Sequence, residues 1–484
     1  MATLKQKTLS GLFWSFIDTF AKQAIAFVVG IILARLLSPQ EFGLVGMLAV
    51  FIAISTVLTQ SGFNQALIRK KNCTNVDYST VFWFNLAVSF CLYLILYFTA
   101  GHIARFYNEP QLEPLVRVLG LGILINALTM VQKTRLTKRI DFKLLAKITL
   151  ISTSFSGLVG IGFAIAGFGV WSLVYKTLAA NLFMAILLWK WNKWTPILKF
   201  SKKAFREMFS FGSRLMTLGI IDTIYNNAYL VIIGKYYSAM QLGFYTKADQ
   251  FKKMPSQTIT ALIQRVSYPV LSTIQDETER LKAAYRRLIK STMLITFLLM
   301  IGLAVIARDF TVLILGEEWA LTGEYLQILC FAGLFYPLDA LNSNILKVVG
   351  RADFILNIGI LRKFMAVPVI LAAIFWGIKP MLYLMVLHKL AGFWIISHYG
   401  GKFINYATWA QVKDILPGLF IAVAMAVFVF FIGVLLNIDM LYVVFIQIIG
   451  GALFSLIILE MIKLQDYLYL KELVLEKIAG IKKR

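Results

Sequence analysis

Cysteine and histidine are nearly absent from this chain of 484 residues, which has three of each. Cys73, Cys91 and Cys330 stand far apart with no CxxC spacing, which argues against a disulfide framework and a cysteine zinc site. His102, His388 and His398 are isolated, so no HExxH-type motif exists and no metal is expected. A GxxxxGK[ST] phosphate loop is missing too, so the chain is not its own ATPase. With no enzyme motif of any kind, catalytic residues and a resident cofactor are not expected. Charge is also scarce, at 15% of residues against about 25% in a soluble domain. Carboxylates are the rarer sign, with 24 Asp and Glu against 48 Lys and Arg.

What the chain has instead is apolar length. It is 59% hydrophobic with a mean hydropathy of +0.77, the composition of an integral membrane protein. Stretches of about twenty residues able to cross a bilayer fall near 12–36, 42–66, 81–103, 115–132, 146–166 and 169–189. Six more fall near 209–234, 243–266, 288–307, 325–346, 355–376 and 380–399, and a last pair near 415–436 and 440–462. The expected fold is therefore an all-α polytopic membrane protein with about fourteen transmembrane helices, grouped six, six and two. Lys5 and Lys7 precede the first run as in a signal peptide. That run carries Asp18 and Lys22 and no small-residue cleavage site, so it reads as an uncleaved span.

A net charge of +24 would suggest nucleic acid if it lay on a soluble domain. Here the cations crowd into alternate short loops, about 32 of the 48 on one side. By the positive-inside rule both termini are cytoplasmic, and nucleic acid is not a partner. One basic segment, 191–208, mixes Trp191, Trp194, Phe200 and Phe205 with lysines; it reads either as lying on the anionic inner leaflet or as a solvated linker.

The string Ala34-Arg35-Leu36-Leu37-Ser38-Pro39-Gln40-Glu41-Phe42-Gly43 returns two hundred residues later as Gly234-Lys235-Tyr236-Tyr237-Ser238-Ala239-Met240-Gln241-Leu242-Gly243. Each copy joins two apolar helices. It reads as a cation facing a helix C-terminus, then a tight turn ending in Gly. The chain thus divides into related halves, 1–200 and 201–400, with 401–484 supplying the extra helix pair and a cytoplasmic tail. The run Gly157, Gly160 and Gly162 could pass for a phosphate loop, but it lies inside a span and reads as helix packing.

Ionisable residues at mid-depth are the candidate functional groups, because charge there is costly and faces a cavity or a partner. Lys22, Lys252, Lys253, Arg362, Lys363 and Lys389 lie about ten residues from either end of their spans, too deep to snorkel. Asp18 sits one turn from Lys22, Asp222 shares a face with Asn226 and Tyr229, and Asp249 precedes Lys252 and Lys253 by one turn. The eighth span is too polar to face lipid and must line water or a polar ligand. A cavity rich in Lys and Arg calls for an anion such as phosphate, with internally paired structural charges as the alternative.

The motif Ser10-Gly11-Leu12-Phe13-Trp14-Ser15, the string from Ala34 to Leu44, and Leu58-Thr59-Gln60-Ser61-Gly62-Phe63-Asn64-Gln65-Ala66-Leu67-Ile68 together resemble the bacterial polysaccharide transporters of the Wzx and colanic-acid-exporter type. These belong to the multidrug/oligosaccharidyl-lipid/polysaccharide flippase superfamily. The resemblance implies two pseudo-symmetric six-helix bundles around a central cavity, in the bacterial inner membrane. It implies a passenger as well: an undecaprenyl-diphosphate-linked oligosaccharide, turned to the outer leaflet for O-antigen, capsule or exopolysaccharide synthesis. Glycosyltransferases before it and a polysaccharide polymerase after it are the implied partners, beside membrane lipids. On that reading the six mid-depth cations take the diphosphate. Asp18, Asp222 and Asp249 are candidate coupling sites for a proton or sodium gradient, the membrane potential being the other energy source. A drug/cation antiporter shares the fold but favours an acidic cavity. A polymerase or ligase handles the same lipids but generally needs a large external loop.

Overall fold

The computed structural model describes residues 4–60, 62–463, 467, 468 and 471. Its helices are α1 (Leu4–Leu36), α2 (Pro39–Gln60), α3 (Phe63–Arg69), α4 (Asn75–Tyr107), α5 (Leu112–Lys138), α6 (Phe142–Ile165), α7 (Trp171–Asn192), α8 (Lys202–Tyr236) and α9 (Ala239–Ser272). After these come α10 (Thr278–Leu315), α11 (Ala320–Gly333), α12 (Phe335–Val348), α13 (Ala352–Met365), α14 (Val367–Phe375), α15 (Ile378–Lys402), α16 (Thr408–Leu435) and α17 (Met440–Ile462). No strand occurs among the described residues. The expected tail beyond Lys463 and the side chains of 4–13 lie almost wholly outside what is described.

Among the described residues, twelve of the passes are long and apolar enough to cross a membrane by length and composition. The other two of the expected fourteen fall short of that measure. α9 has the length, 34 residues, but its polar side chains keep its hydropathy low. The tenth pass is cut into α11 and α12, each only 14 residues. The break has a local cause: Pro337 has no N–H to give the carbonyl of Gly333, the last residue of α11. Pro368 does the same at Phe364, dividing the eleventh pass into α13 and α14.

Contacts divide the chain into two compact units at Thr246 and Lys247, a later point than the end of the first repeat at residue 200. In the first unit α4 packs on α5, α5 on α7, α7 on α6 and α6 on α1, while α2 and α3 pack on α8. Gly157 of α6 has room only for hydrogen, since a Cβ there would lie 2.6 Å from Val29 of α1, as helix packing requires. In the second unit α10 packs on α11, α15 on α11, α12 and α14, and α16 and α17 on α10. The third-on-fourth, fourth-on-sixth and fifth-on-sixth pairings of the first six passes recur here as ninth-on-tenth, tenth-on-twelfth and eleventh-on-twelfth.

The repeated string does something other than end a turn in Gly. Ser38 and Ser238 each stand before the next helix. The Ser38 backbone N–H donates to Glu41 Oε2 at 2.7 Å, and Gln241 N–H donates to Ser238 Oγ at 3.2 Å. Gly43 and Gly243 lie inside α2 and α9, one turn on. A Cβ on Gly43 would fall 1.6 Å from the Ala239 carbonyl oxygen, and one on Gly243 would fall 1.8 Å from that of Pro39. Each copy's Gly therefore receives the other copy's first helical turn, at the same offset of two hundred. Lys235 donates to Phe106 O at 2.5 Å, so its cation faces the end of α4 rather than its own helix.

Candidate functional site

The break between α11 and α12 places a cluster of charges in the second unit. α9 carries Asp249, Lys252 and Lys253 on adjacent turns. Asp249 accepts from both lysines, from Lys253 at 2.5 Å and from Lys252 in a closer contact. Lys252 is 2% exposed, and a charge so buried needs its counter-ion. Gly333 makes room for it: a Cβ there would meet Lys252 Cγ at 3.1 Å. The ring of Tyr336, on the first turn of α12, lies 5.6 Å from the Lys252 ammonium and 4.9 Å from that of Lys389 on α15.

Arg362 of α13 donates to Asp339 of α12 at 2.9 Å and to the Gly392 carbonyl of α15. Gly392 admits the guanidinium closely, since a Cβ there would sit 2.9 Å from Arg362 Nε. His388 lies within electrostatic reach of both Lys389 and Arg362. The cluster therefore joins Lys252, Lys253, Arg362 and Lys389 to two carboxylates, Asp249 and Asp339. Four cations against two anions leave an excess of two positive charges, enough to attract a phosphate ester. Lys363 follows Arg362 on α13, about 100° round the helix, and so starts away from the Arg362–Asp339 pair.

The first unit holds a smaller group. Lys22 is exposed on α1, Asp18 lies beside it, and the Thr149 hydroxyl of α6 is within hydrogen-bond reach of Asp18. Lys133 of α5 is close enough to Lys22 for the two ammonium groups to repel each other. Asp222 is exposed on α8 with Asn226 one turn away, a polar edge suited to water rather than to lipid. The structure thus gathers five of the nine candidates, Asp249, Lys252, Lys253, Arg362 and Lys389, in one place and puts Asp18, Lys22 and Asp222 in the other unit.

Sequence reasoning missed Tyr336, Asp339's role as the partner of Arg362, and Lys133. The first two lie in the broken helix, where Pro337 beside an ionisable residue was the available signal. Lys133 stands near the C-terminal end of α5, where sequence position alone does not distinguish it from the cations that set orientation. Among the described residues no three His, Cys, Asp or Glu side chains come together to hold a metal.

A second feature of the same unit is apolar. A cavity of about 580 Å³ lies among α10, α16 and α17, lined by Leu298, Gly302, Ile306, Met425, Val429 and Gly451 among others. Gln447 supplies one of its few polar groups and donates to the Val429 carbonyl at 3.1 Å, tying α17 to α16.

Residues 32–322 match a family described as polysaccharide biosynthesis protein. The teichuronic acid biosynthesis protein TuaB of Bacillus subtilis is 27% identical over 73% of this chain and 74% of its own length. The lipopolysaccharide biosynthesis protein WzxC of Escherichia coli is 26% identical over 76% and 75%. For the succinoglycan biosynthesis transport protein ExoT of Rhizobium meliloti the figures are 27%, 69% and 68%. Among solved structures, the lipid II flippase MurJ in an inward closed conformation superposes with a TM-score of 0.76 at 14% identity, covering 92% of this chain and 97% of MurJ. An inward-facing multidrug resistance transporter of the MATE family gives 0.63 at 15%, covering 82% and 99%. The chain shares its fold with both of these structures.

Proposed function

The chain belongs to the polysaccharide biosynthesis protein family, and on that premise we propose that it is a flippase for undecaprenyl-diphosphate-linked oligosaccharides, carrying repeat units from the cytoplasmic to the outer leaflet of the bacterial inner membrane. The observation that carries the reading is the charge of the α9–α12–α13–α15 cluster, four cations to two carboxylates inside a membrane bundle. A diphosphate supplies the missing negative charge. The apolar cavity among α10, α16 and α17 suits a polyprenyl chain.

In this reading both termini are cytoplasmic. The diphosphate docks on Lys252, Lys253 and Lys389, and the protein opens alternately to the two sides while the tail stays in lipid. Arg362 is already neutralised by Asp339, so its part is to hold α12 and α13 in register. Asp18 and Asp222 remain the candidate carboxylates for ion coupling, and Asp249 instead holds two lysines. The chain acts as a secondary transporter and not as an enzyme, working between glycosyltransferases and a polymerase.

Complementation tests this. A strain lacking the protein and given Lys252→Glu makes almost no surface polysaccharide, because the new carboxylate beside Asp249 repels the diphosphate. Lys252→Arg retains a substantial fraction. Normal polysaccharide from a well-expressed Lys252→Glu variant would remove the cluster from the transport path. A drug/cation antiporter, the other reading the fold allows, would need carboxylates in excess where this cluster has cations.

A further inference from the structure

Away from that cluster, two buried donors in the first unit lack an acceptor. Arg135, near the end of α5, is 8% exposed; its guanidinium lies 5.5 Å from the Tyr78 ring and 5.2 Å from the Trp194 ring. Trp194 is 4% exposed. Neither Arg135 Nη1 nor Trp194 Nε1 has a hydrogen-bond partner among the described residues. Leaving such a charge-bearing donor unpaired is costly.

The groups nearby do not neutralise Arg135. Arg139, one turn on and exposed, adds a second positive charge, and Tyr78 is the other titratable group facing it. Asp77 and Glu207 are both paired with Lys70, each at 3.1 Å. The Lys138 ammonium is taken up by the carbonyls of Leu67 and Lys70 and by Cys73 Sγ.

A second observation says what kind of anion fits. The segment carrying Trp194 is pinned over this end of the bundle. Gln132 Nε2 donates to Trp194 O at 2.8 Å, Trp83 Nε1 to Ile197 O at 2.9 Å, and Ile197 and Ser201 N–H to Ser79 Oγ and Thr80 Oγ1, both at 3.0 Å. So held, residues 193–201 expose Leu198 (90%) and Phe200 (51%) between Lys193, Lys199, Lys202 and Lys203. Bare Leu and Phe among lysines, at the end of membrane passes, match the boundary between anionic headgroups and acyl chains.

We propose that Arg135, Arg139 and Trp194 bind the phosphate of an anionic membrane phospholipid, with Leu198 and Phe200 against its acyl region. Arg135 Nη1 and Trp194 Nε1 donate to phosphate oxygens from within, and Arg139 closes the site from outside. The inference rests on the chain being a membrane protein and not on what it transports.

Native mass spectrometry of the full-length protein in detergent, titrated with phosphatidylglycerol, phosphatidylcholine or inorganic phosphate, tests it. The wild type holds phosphatidylglycerol in preference to phosphatidylcholine. Arg139→Gln, at an exposed position, and Trp194→Phe, which keeps a ring over Arg135 but loses the N–H, each weaken retention about tenfold. Unchanged retention in both variants would overturn the site. Equal retention of phosphatidylcholine would overturn its anion character. Thermal stabilisation by inorganic phosphate equal to that by phosphatidylglycerol, and lost in both variants, would overturn the lipid in favour of a soluble anion.

Discussion

Lys252 is a buried charge that must share its counter-ion. It is 2% exposed and close to Asp249, but Asp249 also holds Lys253, so neither lysine is fully neutralised. Arg362 and Asp339 are a one-to-one pair, each side chain 19% exposed, and a balanced pair of that kind is structural. Asp339→Ala alone should lower thermal stability more than the double variant Asp339→Ala/Arg362→Ala, because the single change strands a guanidinium. Unfolding midpoints of the two variants in detergent check this. A double variant less stable than the single would mean that Arg362 has other work. At this scale the sequence was partly legible. Depth in a span picked out Lys252, Lys253, Arg362 and Lys389, since burial of charge follows from position along a helix. Which carboxylate each would meet did not follow, because Asp339 and Arg362 stand on separate helices, α12 and α13, that only packing brings together.

The helix-level features were legible where their cause is local. Apolar length set the passes, and Pro337 and Pro368 set the two breaks. The repeated string is legible in the sequence, but a local reading places its Gly in a turn. Gly43 and Gly243 are required because two helix starts two hundred residues apart touch backbone to backbone, which no local reading reveals. Gly43→Ala should therefore lower the yield of folded protein sharply. Gly162→Ala on α6, where nothing lies within 4 Å of the added Cβ, should be neutral or slightly stabilising, by about 0.5–1 kcal/mol. Size-exclusion recovery and thermal melts of the two variants make the comparison. A well-folded Gly43→Ala protein would contradict the close approach of α2 and α9. Trp194 is another element-level correction: grouped with interfacial aromatics by composition, it is buried against Arg135, while Leu198 and Phe200 of the same segment are the exposed ones.

At the scale of the molecule, length and hydropathy admit twelve passes among the described residues. The two they leave out are α9 and the broken α11–α12 pass, which hold Lys252 and Tyr336. The least lipid-like helices are thus the ones that carry the candidate site, as expected where a polar passenger must meet protein rather than hydrocarbon. Family membership and the excess of cations in the cluster together support the proposed polyprenyl-diphosphate sugar as that passenger. The most direct test is the leaflet distribution of undecaprenyl-diphosphate oligosaccharides in cells depleted of the protein. The account predicts that complete repeat units accumulate on the cytoplasmic side. Repeat units translocated normally but left unpolymerised, or an unchanged lipid pool, would contradict it.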